Sequence, residues 1–285
     1  MDSRGPLYMI LATLGFATLG VQVKMIDGVP SAQIVFWRSL VGVMVLLPVA
    51  LRDLRTAWGV RRDALLARSV FGTASMFAYF VAIDRLPLGD AVLIAFTSPL
   101  AVATLAPWVT GERAPRGLWR ALLLGLLGVG FVVEPTGRDV DPVGIAAALS
   151  TTWLAAGAYL GVRVANRTEA RTTIVLWFSA FACLATLPSF AMQPASVDLP
   201  TAALLGGVGC AGLFAQLMLT KAYSLGEAPR IALYSYATPV WAYLLGIFVL
   251  EEGVRWQGVV GTCLVVVAGW YAQRITASPT DEAPS

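Results

Sequence analysis

Long apolar runs alternate with short polar segments along the whole chain. We count ten runs, at residues 6–23, 30–51, 65–84, 88–110, 117–134, 142–162, 171–192, 201–223, 228–250 and 255–274. A helix of about 20 residues rises ~30 Å, which is the thickness of the hydrocarbon core of a bilayer. The runs lack the strict polar and apolar alternation of membrane β-strands. The pattern therefore predicts an all-α integral membrane protein with ten transmembrane helices.

The overall composition agrees with a membrane protein. Of the 285 residues, 58% are hydrophobic and 13% are charged, whereas soluble domains average about 45–50% apolar and about 25% charged residues. A soluble domain of this size could not bury so much apolar surface. The first run lacks the basic segment and the small-residue cleavage site of a signal peptide, so we interpret it as span 1. The lipid bilayer is thus a predicted partner.

The basic residues between the spans predict the orientation. If the N-terminus is cytoplasmic, 15 Lys and Arg residues, including Arg68, fall on the cytoplasmic side, and four fall outside: Lys24, Arg85, Arg138 and Arg255. This excess follows the positive-inside rule. We therefore expect both termini in the cytoplasm, with residues 276–285 as a disordered polar tail. The short loops and this charge bias are typical of a bacterial inner membrane protein.

Residues that serve catalysis or metal binding are scarce. The chain has no histidine, and its three cysteines lie within apolar spans, where cysteine acts as a small hydrophobe. Neither a P-loop nor a G-x-S-x-G motif occurs. The basic loops at 52–62 and 113–120 are explained by topology, so they do not indicate nucleic acid. We expect no enzymatic activity, no cofactor and no bound metal.

An internal repeat divides the chain into two halves. LGDA at 88–91 matches LGEA at 225–228 with an offset of 137, and SPLAVATLAPWVTGE at 98–112 matches TPVWAYLLGIFVLEE at 238–252 with an offset of 140. Trp37 and Pro48 match Trp177 and Pro188, also 140 residues apart. Because each half has five spans, the second must enter the membrane inverted, as in many transporters. We place the two repeats at 1–138 and 139–275.

Two prolines, Pro99 and Pro239, fall near the middle of spans 4 and 9. Proline lacks an N–H and frees a carbonyl on the preceding turn. In lipid that carbonyl needs another partner, which a neighbouring hydroxyl such as that of Thr97 can supply. We predict two hinges at the bilayer midplane. The alternative is a purely structural role, because proline is common in membrane helices.

Together these features resemble the EamA-type branch of the drug/metabolite transporter superfamily. The resemblance rests on ten spans in two halves, the LGDA and LGEA segments, the prolines of spans 4 and 9, and the acids that follow them in GER at 111–113 and LEE at 250–252. It covers roughly residues 5–275. It implies that spans 1–4 and 6–9 enclose a central cavity, with spans 5 and 10 at the periphery. Within this branch we expect an amino-acid exporter, with aromatic amino acids among its substrates.

Several polar and aromatic residues inside the spans are candidates for substrate binding. Trp153 lies in the centre of span 6, away from the interfaces that tryptophan prefers. Gln216 would be costly to leave unpaired in hydrocarbon. Helix packing or a lipid-facing position is the alternative for each, and Arg38 could also extend its head outward or pair with Asp84 or Glu134. The candidates are Trp153, Tyr79, Gln216, Ser98, Tyr234, Thr238, Trp241 and Arg38.

The positions of the acids bear on mechanism. No Asp or Glu lies in the middle of a span, whereas proton-coupled carriers usually keep an intramembrane acid. We therefore expect export of a small neutral or zwitterionic metabolite by alternating access, without obvious proton coupling. The alternatives are import or export of another metabolite such as a nucleoside, vitamin or drug, or a membrane sensor or scaffold. A monomer is compatible with the sequence, which leaves the oligomeric state open.

Overall fold

The computed structural model describes residues 4–52, 57–137, 141–192 and 197–277, and these residues form a helical bundle without strands. Two of the spans, Leu88–Val109 and Ala228–Val249, each contain more than one helix, and ten spans in all are long and apolar enough to cross a membrane. This confirms the predicted all-α, ten-span architecture. Arg55, Arg138 and the predicted tail from residue 278 onward lie outside the described residues. The helices are α1 Gly5–Lys24, α2 Ser31–Ala50, α3 Arg62–Arg85, α4 Leu88–Ala95, α5 Ser98–Val109, α6 Arg116–Val133, α7 Pro142–Ala165, α8 Arg171–Met192, α9 Leu199–Leu225, α10 Ala228–Leu233, α11 Ala237–Val249 and α12 Trp256–Ala277.

Local sequence signals determine where α7 and α9 begin. Asp141 and Asp198 precede these helices, and their carboxylates accept the N–H groups of Val143 at 2.9 Å and Thr201 at 3.0 Å. A side-chain acceptor at this position satisfies an N–H that the helix itself cannot pair. Arg85 also donates to Asp141 at 3.0 Å, and this bond, with the one from Val143, lowers the pKa of the Asp141 carboxyl.

The helices of the first half pack mainly against helices of the second half. α1 packs along α9, and the equivalent pair in the repeat, α7 and α3, packs in the same way. α2 packs against α8, and α6 packs against α12. In the same pattern α11 contacts α1, and α5 contacts α7. The halves are therefore interleaved, and neither buries its apolar faces by itself.

Spans 5 and 10 approach each other closely through glycines. A Cβ added to Gly128 would lie 2.8 Å from the carbonyl oxygen of Gly261, and one added to Gly261 would lie 2.5 Å from the carbonyl oxygen of Gly128. Any side chain at these positions would push the backbones apart. The contact is the small-residue packing common between membrane helices.

Both spans that contain a central proline are interrupted just before it. Span 4 breaks between Ala95 and Ser98, and span 9 passes through a short 3₁₀ turn, Tyr234–Tyr236, before α11. Pro99 and Pro239 therefore lie in the first turn of a new helix, where a missing N–H has no intrahelical partner to lose. The interruptions stand where the repeat places them, and their role as hinges stays a prediction.

Hydroxyl groups satisfy the backbone at the break in span 4. The carbonyl oxygen of Ile94 accepts the Thr97 hydroxyl at 2.6 Å and the Thr152 hydroxyl of α7 at 2.8 Å. The two hydroxyl oxygens are 3.0 Å apart. The Ile94 carbonyl also accepts the Thr97 N–H at 3.0 Å, and it is not the carbonyl that Pro99 frees, which is that of Ala95. The role expected for the Thr97 hydroxyl therefore stays a prediction, and Thr152 adds a link between spans 4 and 6.

Candidate substrate site

A cavity of about 160 Å³ lies between spans of both halves. A smaller pocket of about 10 Å³ between α2, α8 and α9 shares Arg38, Phe178 and Gln216 with it. The cavity therefore sits at the junction of the interleaved halves. Its lining residues are Phe16, Arg38, Arg68, Gly72, Ser75, Met76, Ala155, Ala158, Tyr159, Phe178 and Gln216.

Two arginines give this cavity its chemical character. Arg68 is only 3% exposed; its Nη2 donates to Oε1 of Gln216 at 3.0 Å, and its Cζ lies 4.1 Å from the centroid of the Phe178 ring. Arg38 is partly buried, and its Nη1 contacts the Met76 sulfur at 3.7 Å. Among the residues that the structure describes, neither arginine forms an ion pair with a carboxylate. The cavity therefore carries uncompensated positive charge.

Glycines make room for both guanidinium groups. A Cβ added to Gly212 would lie 2.6 Å from Nε of Arg38, and one added to Gly72 would overlap Nη1 of Arg68. A larger residue at either position would displace the charged group into the cavity or away from it. The backbone of α3 and α9 is thus shaped around the two arginines.

The chemistry of the cavity is not shared equally by the two halves. Arg38 of α2 and Phe178 of α8 occupy equivalent positions of the repeat, 140 residues apart. Both cationic groups come from the first half, and the second half contributes aromatic and amide groups. A carboxylate about 4 Å from one guanidinium gains about 4 kcal/mol at an effective dielectric constant of about 20. The cavity therefore presents a favourable electrostatic environment to an anionic group, before the cost of desolvating that group is counted.

Aromatic rings and an ion pair follow one another next to the cavity on the side of Tyr159. Tyr159, which lines the cavity, stacks on the fully buried Tyr223 with ring centroids 5.7 Å apart. Beyond these rings Nε of Arg163 lies 2.7 Å from Glu112, and its Nη1 donates to the Tyr223 carbonyl at 2.9 Å. Glu112 also accepts the Ala228 N–H at 2.7 Å. We call Glu112 with Arg163 the Glu112 pair, and this side of the bundle the Glu112 end.

Further polar contacts join the loops at the Glu112 end. Asn166 donates to the Thr220 carbonyl at 2.9 Å. Glu169 accepts the N–H groups of Val60 at 3.0 Å and Arg61 at 2.7 Å. Burial acts to raise the pKa of Glu169, but the N–H donors of Arg61 and Val60 outweigh this effect and keep the pKa below its ordinary value. A charged Glu169 thus ties the start of α3 to the loop before α8.

The opposite end, which we call the Glu252 end, carries more exposed ion pairs. Lys24 pairs with Glu252, and their side chains are 64% and 43% exposed. Arg255 lies 3.0 Å from Glu134. Arg38 forms no ion pair with Asp84 or Glu134 within the described part of the chain, so the alternative in which Arg38 pairs with these acids is not observed.

Of the eight predicted substrate residues, Arg38 and Gln216 line this cavity. Trp153 is 50% exposed on the outer surface of the bundle. Its neighbour Thr152 points inward and is 4% exposed, because successive residues of a helix are rotated by about 100°. A central position in span 6 therefore did not place the indole toward the cavity.

The other five candidates lie around the broken spans and do not line this cavity. Ser98 is buried beside the break in span 4. Tyr234 donates to the Gly269 carbonyl of α12 at 3.4 Å, so its hydroxyl contacts span 10. Tyr79, Thr238 and Trp241 are partly buried. Substrate contact by these residues stays a prediction.

Nine of the eleven lining residues were not predicted from the sequence, and Arg68, Tyr159 and Phe178 are among these nine. Arg68 carried a usable signal, because it lies within the apolar run 65–84. We counted it with the cytoplasmic charges, as its position near the start of that run allows. Tyr159 and Phe178 resemble other aromatic residues of the spans, so only the packing distinguishes them.

A ten-span bundle with a polar cavity between two halves is the architecture of a membrane transporter. The sequence profile of the EamA-like transporter family matches residues 3–134 and 142–271, one match in each half. The chain therefore belongs to the EamA-like transporter family, which confirms the predicted resemblance. This is a family of transporters, and the described residues contain no group of acidic or cysteine ligands suited to a metal.

Relatives of known description are similar over most of their length. The chain is 31% identical to the pseudopaline exporter CntI of Pseudomonas aeruginosa, over 93% of this chain and 94% of that protein. It is 26% identical to the S-adenosylmethionine uptake transporter of Rickettsia prowazekii, over 84% of this chain and 81% of that protein. A crystal structure at 18% identity has the same fold, with a TM-score of 0.86 over 99% of this chain and 100% of its own.

Proposed function

We propose that the protein is a secondary transporter that exports a small metabolite from the cytoplasm by alternating access. The cavity between the halves, with the Glu112 pair beside it, carries this proposal. Alternating access requires one central site with a barrier on each side. The equivalent Lys24–Glu252 contact supplies a second barrier at the other end. We propose 1–138 and 139–275 as the two equivalent repeats, with hinges at Pro99 and Pro239. Because the halves are interleaved, each moving unit combines helices of both repeats, such as α1 with α9 and α3 with α7.

The Glu112 end is the cytoplasmic end in this proposal. Arg113, Arg116, Arg167 and Arg171 all lie there, and the positive-inside rule places such clusters in the cytoplasm. Both termini are then cytoplasmic, and a bacterial inner membrane is the proposed location. Similarity to an exporter supports the outward direction.

Amino acids, including aromatic ones, remain the first substrate class to test. Each carries a carboxylate that a guanidinium of the cavity can bind. The described cavity lining contains no carboxylate that could relay a proton, which supports facilitated export or exchange without proton coupling.

Flux through purified protein in proteoliposomes tests the proposal. We expect saturable movement of some labelled amino acids or related acids out of loaded vesicles, unchanged by an imposed pH gradient. Trp153→Ala serves as a control, because the exposed indole lies outside the cavity and its loss should leave the flux unchanged. Ligand binding without any flux would instead support a sensor, and strict dependence on a pH gradient would contradict uncoupled transport.

A further inference from the structure

We infer that the cavity is a binding site for a small organic anion with two carboxylates, one for each of the guanidinium groups of Arg38 and Arg68. This inference rests on the proposed transport function and narrows its substrate class. It favours dicarboxylates and acidic amino acids over the neutral or zwitterionic solutes expected from the sequence.

The positive charges of Arg38 and Arg68 are not balanced by any carboxylate of the described residues. Both arginines line one cavity in the interior of the bundle, and Arg68 is almost fully buried. Arginine stays protonated in proteins, so neither group escapes its charge by losing a proton. Buried charges are ordinarily paired, yet neither arginine has a carboxylate partner among the described residues. A ligand with two negative charges would supply the missing partners.

Both guanidinium groups keep N–H donors that the described residues do not use. A guanidinium offers five N–H donors in a planar fork. Arg68 uses one nitrogen on Gln216, and the Phe178 ring supports its flat face. Among the residues that the structure describes, the one hydrogen-bonding partner of the Arg38 side chain is the Met76 sulfur, a weak acceptor. Each group therefore keeps donors for a carboxylate, which arginine binds well in bidentate geometry.

The rest of the lining fits a short carbon chain. Ala155, Ala158 and Phe16 provide apolar walls without charge, and Ser75 provides a small polar group. The Ser75 hydroxyl donates to the Thr151 carbonyl at 3.1 Å, so it already has a partner. No lining residue offers a negative charge for the amino group of a zwitterion. The site therefore recognises acidic groups and tolerates an apolar remainder.

Competition and charge movement in proteoliposomes test the inference. We expect succinate to inhibit and to be transported with an apparent KM at least about tenfold below those of leucine and phenylalanine, because one added charge contact is worth about 1.4 kcal/mol or more. The KM of glutamate should lie between them, because its second carboxylate gains a contact while its amino group finds no negative partner in the lining. A K⁺ diffusion potential should change the rate of succinate flux, because net charge crosses the membrane. Inorganic phosphate should compete more weakly than succinate, since it presents its charges on one centre.

Variants tie the preference to the two arginines. Arg68→Gln and Arg38→Gln should each raise the KM for succinate by about thirtyfold, the effect of removing one partner of a buried charge contact. Arg85→Gln is the matched control, because this exposed arginine lies at the Glu252 end and pairs with Asp141; its KM should not change. If Arg68→Gln does not fold, Arg68→Lys and Arg38→Gln carry the test.

Binding is measured separately from flux. Succinate should raise the thermal unfolding midpoint of the purified protein in detergent, and less so for Arg38→Gln. If succinate binds but no solute is transported, the proposed anion site is supported and the proposed transport function is wrong. Flux of leucine with no effect of succinate would keep transport and overturn the anion site.

Discussion

The two ends of the bundle use the same residue pattern in different surroundings. Glu112 and Glu252 are equivalent positions of the repeat, 140 residues apart. Glu112 pairs with Arg163 near the end of span 6, and Glu252 pairs with Lys24 at the end of span 1. The side chains of Glu112 and Arg163 are 12% and 23% exposed, against 43% and 64% for Glu252 and Lys24.

The difference in burial determines how much each pair contributes. Glu112 also accepts the Ala228 N–H, and Arg163 also donates to the Tyr223 carbonyl. A lysine cannot reproduce this forked geometry. Exposed pairs contribute about 0–1 kcal/mol, whereas removing one partner of a buried pair costs up to about 3–5 kcal/mol. An inverted repeat can thus place one motif at both ends, while the local packing makes one closure stronger than the other.

Substituting the two acids should give the largest contrast. Glu112→Gln leaves a partly buried Arg163 without its carboxylate, so we expect the free energy of unfolding to fall by about 2 kcal/mol. Glu252→Gln at the equivalent position should change it by less than about 0.5 kcal/mol. Chemical denaturation in detergent micelles measures both values. Equal losses for the two variants would show that burial does not separate the two ends.

Exchanging the two bases should give a smaller contrast. Arg163→Lys keeps the charge but loses one of two directed bonds, and we expect a loss of about 1 kcal/mol. Lys24→Arg should be neutral, because its exposed position offers only Glu252. The same denaturation experiment at low and high salt compares them. If high salt abolishes the loss of unfolding free energy caused by Arg163→Lys, the Glu112 pair would be a simple surface ion pair in which the directed bonds of arginine contribute nothing.

Acid should weaken the Glu112 end more than the Glu252 end. The folded-state pKa values of Glu169 and Asp141 both lie below their ordinary values, so their stabilising contribution is present at neutral pH. It is lost as the pH falls below about 4 and through the folded-state values. We expect Glu169→Gln to cost less than about 1 kcal/mol at pH 7 and to flatten the acid dependence. Asp141→Asn should change the profile less, because the Asp141–Arg85 pair is exposed to solvent and contributes little.

Much of the fold could be predicted because lipid imposes simple rules. Span lengths, the repeat and the position of the breaks before Pro99 and Pro239 all follow from local features of the chain. The site was predicted only in part. Gln216 and Arg38 were predicted as site residues, because burying a polar group inside a span costs free energy and such groups usually serve packing or function. Arg68 was not predicted as a site residue, because its position near the start of α3 is also compatible with the cytoplasmic side of the membrane.

Trp153 illustrates why aromatic residues are harder to place. Its central position in span 6 suggested a role in the cavity, but a tryptophan can also lie half exposed on the outer surface, as Trp153 does. In a membrane an apolar side chain has a similar transfer free energy whether it faces lipid or the protein interior, because both surroundings are apolar. Facing direction in such a helix is therefore decided by neighbours, which a single sequence does not reveal.

The amino-acid sequence by itself determined that the chain is embedded in a lipid bilayer, how many spans it has, that its two halves are equivalent, and where spans 4 and 9 break. These features depend on local hydrophobicity and on backbone chemistry, which need no knowledge of distant contacts. Only the tertiary structure decided which residues meet in the cavity and which of two equivalent ion pairs is the less exposed. Both depend on packing between interleaved halves, where Arg38 and Arg68 of one half meet Phe178 and Gln216 of the other.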